Sequence, residues 1–218
     1  MKYIKLLFYY LYSTYFCLRY LPFSQAKKLP ILIHPFVKIK KLHKGDIVIN
    51  GKIWKSMISI GFEGTIGRCN QKTMIYVNRR GHIVFNGYAC ISKGCRMVVY
   101  QGNLTFGAKL TFNGDCFFSC YDDITFGNDI ICGWNASFLT TNGHTIIVDG
   151  ISKEKTAPIV IGNHVWIGAD SVINKGVSIP NGCVIAHHSV VTKVSETPNA
   201  IYGGYPAKLL KTGADWEA

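Results

Sequence analysis

The chain has 218 residues, 48% of them apolar and 17% charged, which is enough for one domain with a sizeable core. No segment has the low-hydrophobicity, high-charge composition of disorder, and the net charge of +12 comes with no nucleic-acid-binding motif, so an anionic membrane or a phosphorylated cofactor is the expected kind of polyanionic partner. Eight cysteines, at 17, 69, 90, 95, 116, 120, 132 and 183, form no CxxC pair, and with no convincing cleavable signal they are expected as reduced, mostly buried thiols in a cytosolic protein.

Taken from the N-terminus, residues 1 to 55 hold eleven cations and one acid, Asp46. Within them LLFYYLYSTYFCL, residues 6 to 18, carries no charge and is flanked by Lys2, Lys5 and Arg19. The stretch is shorter than the roughly 20 residues of a spanning helix, and LRYLPFSQA is a poor cleavage site. Two expectations stand: a helix packed against the rest of the protein or its oligomer, or a tyrosine-rich helix in a membrane interface, its lysines reaching lipid headgroups. The segment is assigned to residues 1–44, with any membrane contact through residues 1–25.

From residue 45 a period of six takes over. It runs through Ile60, Ile66, Phe85, Ile91, Met97, Phe106, Phe112, Phe118, Phe126, Cys132 and Phe138, then Ile161, Ile167, Ile173, Ile179, Ile185 and Val191. Helix faces recur at about 3.6 residues and strand faces at 2, so this register belongs to an internal repeat. Three short flat strands of about six residues each would close a triangular coil of about 18, and such coils stack at the ordinary strand spacing of about 4.8 Å. The periodic residue then points inward, and a small or turn-forming residue comes next where the chain rounds a corner. Residues four further on, Val165, Ser171, Val177, Cys183 and Ser189, are small enough to share the interior, and Phe106, Phe112, Phe118 and Phe126 should stack in it. The expectation is an all-β solenoid over residues 45–192, a short N-terminal helix, an insertion at 139–158 where the period fails, and a tail at 193–218.

The stretch IGNHVWIGADSVINKGVSIPNGCVIAHHSVVTK, with IYGGYPAKLLK after it, resembles the hexapeptide-repeat acyltransferases, closest to their maltose, galactoside and polysaccharide O-acetyltransferases. The similarity runs from about Ile124 to Lys211. It implies a left-handed parallel β-helix, acetyl-CoA as acyl donor, no metal, and a homotrimer with its sites between subunits. The G-x-P-A-[KR] signature that ends the family's helix appears as GGYPAK, and the catalytic histidine of its looped-out insertion as NGHTI, containing His144. A hydroxyl attacks a thioester slowly unless a base takes its proton, and imidazole suits that role near neutrality. The resemblance also implies Trp166 and Gly168 beside the cofactor arm, and the backbone N–H of Ala169 as oxyanion donor. It sets Lys193, Lys208 and Lys211 toward the phosphates or adenine of CoA.

Where these enzymes hold the acceptor with an asparagine, the sequence has CFFSCYDD, with Ser119 or Cys120 at that position. The acceptor pocket is therefore not simply inherited. Ser119, Asp122, Asp123 and Asn142 are the candidate acceptor contacts, and Asp122 and Asp123 could instead orient His144 or serve a solvated turn. His187 and His188 have no assigned role. The expected activity is transfer of acetyl to a sugar hydroxyl, on a free or lipid-linked saccharide, in cell-surface polysaccharide synthesis, by a cytoplasmic protein that could lie on the inner face of the membrane. The alternatives are N-acetylation of an amino sugar or small amine, or a non-catalytic β-helix scaffold. The zinc carbonic anhydrases share the repeat, but His164, His187 and His188 lack their ligand spacing.

Overall fold

The computed structural model describes residues 2–63, 71–193 and 196–217. The chain opens with helices α1 (Lys2–Tyr20) and α2 (Phe23–Ala26) and then winds into a triangular parallel coil. One face stacks Ile47–Ile49, residues 83–85 and 104–106, Ile124–Phe126, Ile159–Ile161 and Ser178–Ile179. A second stacks Ile31–Ile33, Ile58–Ile60, Ala89–Ile91, Leu110–Phe112, Ile130–Cys132, Val165–Ile167, Val184–Ile185 and Ala200–Gly204. The third runs from Lys38–Lys40 through residues 74–77 and 96–99, Phe117–Cys120, Ser137–Leu139 and Val172–Asn174 to Val190–Val191. The stacking therefore begins at Ile31, upstream of the boundary expected at residue 45, because ILI at 31–33 and KIK at 38–40 already supply strands. At the other end, Ala200–Gly204 still joins the second face, so the tail contributes a strand before Ala207–Thr212 folds back antiparallel on it. Of the periodic positions, Ile66 lies outside the described residues, as does Cys69.

Three-residue strands set two side chains inward and one outward. In Val165–Ile167 the outer pair is fully buried and Trp166 points out. Val177, Cys183, Ser171 and Ser189 fill the interior as their small size allows. The phenylalanines form the middle of the core: Phe106 stacks on Phe126 (5.6 Å, 6°) and Phe118 on Phe138 (5.3 Å, 4°), while Phe112 meets both columns edge-on. Parallel stacks along a face and T-shaped contacts between faces are both arrangements the ring quadrupole favours.

Corners make two separate demands on the sequence. After Phe106, Phe126, Cys132, Ile161 and Ile167 the next residue must be small because the next coil's backbone lies against it: a Cβ on Gly168 would sit 2.4 Å from the His187 nitrogen. The residue third after each inward one adopts positive φ, as at Asp129, Asn135, His164, Asp170 and His188, all types for which the left-handed region is comparatively accessible. His188 thus has a backbone role, with Nε2 3.6 Å from Asp170.

The helix α1 covers the open end of the coil. Phe16 and Cys17 are buried against it, and the exposed edge of Ile31–Ile33 is closed by side chains: the Ile33 N–H donates to Ser13 Oγ (2.9 Å) and the Cys17 thiol to the Ile31 carbonyl (3.5 Å). Capping an edge strand in this way satisfies groups that would otherwise recruit another strand. At the far end, the Trp216 ring stacks on His164 (4.3 Å, 7°) and its Nε1–H donates to the His164 carbonyl (3.1 Å). The His164 ring lies between Asp129 (2.7 Å) and Asp215 (3.0 Å).

Removing one ring from the middle of the core leaves a void that rigid coils cannot close. Phe118→Ala should cost about 3–5 kcal/mol of stability, measurable as a lower denaturant midpoint with an unchanged slope.

The tail clamp should depend on pH. The hydrogen bond to Asp129, and secondarily that to Asp215, raises the His164 pKa, so this part of the docking is complete below about 6.5, the ordinary histidine value, and is lost as pH rises through the raised one. Asp215 is held below the usual carboxylate range, first by the Trp216 N–H and then by His164, and its share is lost only as pH falls through that depressed value. Exchange of the Trp216 indole proton, followed by NMR, should therefore be slowest at mildly acidic pH, and Asp215→Asn should weaken the dependence.

Candidate active site

The insertion after Ser137–Leu139 is an arm of short antiparallel pairing. Ile147–Val148 pairs with Ile151–Ser152, Thr141 bridges to Thr156, and the Asn142 N–H donates to the Lys155 carbonyl (3.1 Å). Its root is tied to the coil by Thr140, whose N–H and hydroxyl both donate to the Ser119 carbonyl (3.1 and 2.9 Å). From Asn142 to Lys155 every residue is exposed, His144 included, and among the described residues no carboxylate is within hydrogen-bonding distance of His144. Ile146, Ile147, Val148 and Ile151 also lie exposed on the arm. Four aliphatic side chains on one projecting hairpin is more apolar surface than a solvated loop carries.

On the coil itself, the corner between the second and third faces forms a groove of about 560 Å³. Trp166, Gly168 and Ala169 line it, joined by Asn113, Gly133, Trp134 and His187. Trp166 is 44% exposed and lies along the groove rather than in the core. The floor is backbone, because Gly133 and Gly168 let successive coils touch: a Cβ on Gly133 would lie 2.4 Å from the Ala169 nitrogen.

The hydrogen bonding of this corner differs from that of its neighbour. Between the first and second faces, the second residue after each inward one is Ala108, Asn128, Asn163 or Asn181. There the Ala108 N–H donates to Asn128 Oδ1 (2.8 Å), that of Asn128 to Asn163 Oδ1 (2.8 Å) and that of Asn163 to Asn181 Oδ1 (2.7 Å). In the groove the equivalent residues are Trp134, Ala169 and His187, none met by a side-chain acceptor from the next coil. Their backbone N–H groups donate to nothing among the described residues. The Trp134 indole Nε1 is likewise buried without a hydrogen-bond partner among them. A row of unspent donors over a rigid apolar wall is suited to an extended ligand with carbonyl acceptors.

Other sequence-predicted positions fall elsewhere. Asp123 Oδ1 accepts from the Asn103 N–H (2.7 Å) and Asp122 Oδ1 from the Asp123 N–H (2.8 Å), so both carboxylates hold a corner of the coil. Ser119 is nearly buried, and its carbonyl anchors Thr140. Burial, and then the nearby Asp123, pushes the Cys120 thiol up to about 12, so it is a neutral packing group rather than a nucleophile. Lys193, Lys208 and Lys211 are exposed, the last two on Ala207–Thr212. None of these residues, and not His144, is among the groove's walls within one chain. Sequence reasoning assigns no site role to Asn113, Trp134 or His187, which the groove brings together; the signal that could have found them is the missing asparagine at their corner.

A triangular hexapeptide coil with a projecting histidine arm and a donor-lined corner groove defines a class of acyl-transferring β-helix proteins. The bacterial transferase hexapeptide (six repeats) family matches residues 158–193. An uncharacterized 24.8 kDa protein of the cps region of Klebsiella pneumoniae is 30% identical over 91% of this chain and 86% of its own length. Galactoside O-acetyltransferase of Escherichia coli is 32% identical over 51% of this chain, which spans about half, 55%, of that relative. Among solved structures, the polySia specific acetyltransferase NeuO superposes with a TM-score of 0.61 at 21% identity, covering 87% of this chain and 79% of its own, and shows the same fold. The chain belongs to the hexapeptide-repeat acyltransferases, and its coil is the left-handed β-helix of that family.

Proposed function

We propose that the protein moves an acetyl group from acetyl-CoA to a sugar hydroxyl of a cell-surface polysaccharide or its lipid-linked precursor, as a homotrimer on the cytoplasmic side of the membrane. The observation that carries this reading is the row of unspent N–H donors at Trp134, Ala169 and His187 beside Trp166. The pantetheine arm of CoA is an extended chain with two amide carbonyls and a terminal thioester, which is the pattern such a row recognises. Relatives that include a galactoside O-acetyltransferase support a saccharide acceptor.

In this reading the Ala169 N–H faces the thioester carbonyl and the Trp134 indole serves an amide of the arm. Lys193, Lys208 and Lys211 meet the phosphates. Among the described residues that line the groove, exposed His187 is the one possible general base, and His144 is held on the arm, outside its own chain's groove, together with four aliphatic residues that want cover. A second subunit supplies both: it buries the arm and receives His144 at its groove, and repetition around a threefold axis closes the assembly. His144 takes the acceptor hydroxyl's proton as the oxygen attacks the thioester carbon. The oxyanion is held by Ala169, and collapse expels the CoA thiolate, which takes the proton back. Asn142, beside His144 on the arm, and Ser119, Asp122 and Asp123 at its root are the acceptor-side candidates.

Thiol release from acetyl-CoA should be measured against a panel of sugars, nucleotide sugars and amines. His144→Ala should lower kcat by about 10²–10⁴ with little change in acetyl-CoA binding. Trp166→Ala should instead raise the KM for acetyl-CoA while leaving kcat nearly intact, since it removes contact with the arm and not with the reacting atoms. Undiminished turnover in His144→Ala would refute the mechanism, and failure of the wild-type chain to bind acetyl-CoA would favour a scaffold.

A further inference from the structure

Helix α1 is apolar on two faces, and the coil covers only one. Phe16 and Cys17 are buried, and the half-buried Tyr9 packs against His34 and Phe62 (5.0 and 5.3 Å). On the opposite side Leu7, Phe8, Leu11, Tyr15 and Leu18 are 47% to 61% exposed, and their spacing of i, i+1, i+4, i+8 and i+11 makes one continuous helical stripe. Phe23, three residues after the helix, is also 69% exposed.

The charges on this helix and in the segment that follows it, to residue 45, are of one sign. Lys5, Arg19, Lys27 and Lys28 are exposed, and Lys55 reaches over the Tyr10 ring (4.5 Å). Asp46 is the single acid among residues 1–55, and one of its oxygens already accepts the His43 N–H (2.7 Å). A second copy brought face to face would set these cations against their own kind, whereas an anionic surface neutralises them. No described helix is long and apolar enough to cross a membrane.

We infer that the outer face of α1 is a docking surface for an anionic lipid bilayer, with the helix lying in the interface plane: Leu7, Phe8, Leu11 and Leu18 enter the acyl boundary while Lys5, Arg19, Lys27 and Lys28 meet lipid phosphates. An aliphatic stripe and a basic rim are the two signals that together give stable interfacial binding where either alone is marginal. Because α1 closes one end of the coil, the chain would stand on the membrane by that end, leaving the groove on its flank open. This inference does not depend on the acyl-transfer reading.

The full chain should be sedimented with vesicles of phosphatidylcholine alone and of phosphatidylcholine with phosphatidylglycerol, at low and high salt. The expected result is binding to the mixed vesicles that weakens with salt and falls at least about tenfold in the Leu7→Gln/Leu11→Gln/Leu18→Gln variant. A parallel Lys27→Glu/Lys28→Glu variant, which leaves the stripe intact, should lose the preference for phosphatidylglycerol. All these side chains are exposed, so the thermal midpoints should stay at the wild-type value, and acetyl transfer to a soluble acceptor should be unaffected. Wild-type protein that stays in the supernatant with phosphatidylglycerol present would overturn the inference. So would a triple glutamine variant that sediments as the wild type does, or one whose mass by light scattering drops, since the stripe would then be a contact between copies.

Discussion

Everything in this molecule depends on successive coils lying one strand spacing apart, about 4.8 Å, around all three sides of the prism. At that separation a corner cannot hold a side chain between two backbones. A Cβ at Gly107, Gly127, Gly162 or Gly168 would fall between 2.2 and 2.7 Å from the next coil. At these corners the sequence must therefore place glycine at the same phase, an inward apolar residue just before it, and one that tolerates positive φ two places later. The period of six is the visible consequence, and the stacked phenylalanines satisfy the same spacing from the inside.

That constraint also decides where chemistry can be. Strand backbones in the faces spend their hydrogen bonds on the coils above and below, so the faces are closed walls. Only the corners have donors to spare, and the residue just after each corner glycine determines whether they stay available. Asparagine turns one corner into a ladder in which each side chain closes the N–H of the coil before it. Tryptophan, alanine and histidine leave the equivalent N–H groups of another corner open beside an exposed indole. Two edges of one prism, built to the same geometry, thus differ in the donors they leave open through one residue per coil.

The solenoid was legible because its repeat is imposed by backbone contact, which tolerates few exceptions. Phe106 through Phe138 and Ile161 through Val191 all point inward as the register requires. The beginning of the coil was less legible: in the stretch around Lys38–Lys40 the outward side chains are lysines, and the six-residue phase is broken by loops that cost the stack nothing. Trp166, Gly168 and Ala169, to which the family resemblance points, lie together along the groove. Asp122 and Asp123 drew notice because two adjacent carboxylates interrupt the period, and in the fold they accept N–H groups at a corner of the coil. The free donors of Trp134 and His187 are defined by a missing acceptor one coil away, which becomes visible in the sequence only when the two corners are compared, asparagine recurring at one and not at the other.

The groove's shape is fixed by the glycines that make its floor, since enlarging Gly133 or Gly168 would push two coils apart before it altered a ligand contact. A cofactor arm bound there would meet much the same surface in any protein of this build. The freedom to choose an acceptor must then lie in elements the stacking does not constrain: the arm at 141–156, whose residues touch little within their own chain, and the corner at Ser119–Asp123 from which it springs. The second of these, CFFSCYDD, is also where the sequence departs from the sugar acetyltransferases it resembles. The division arises from the coil spacing itself, which holds the donor-binding surface constant and leaves the looped-out segments to vary with the acceptor.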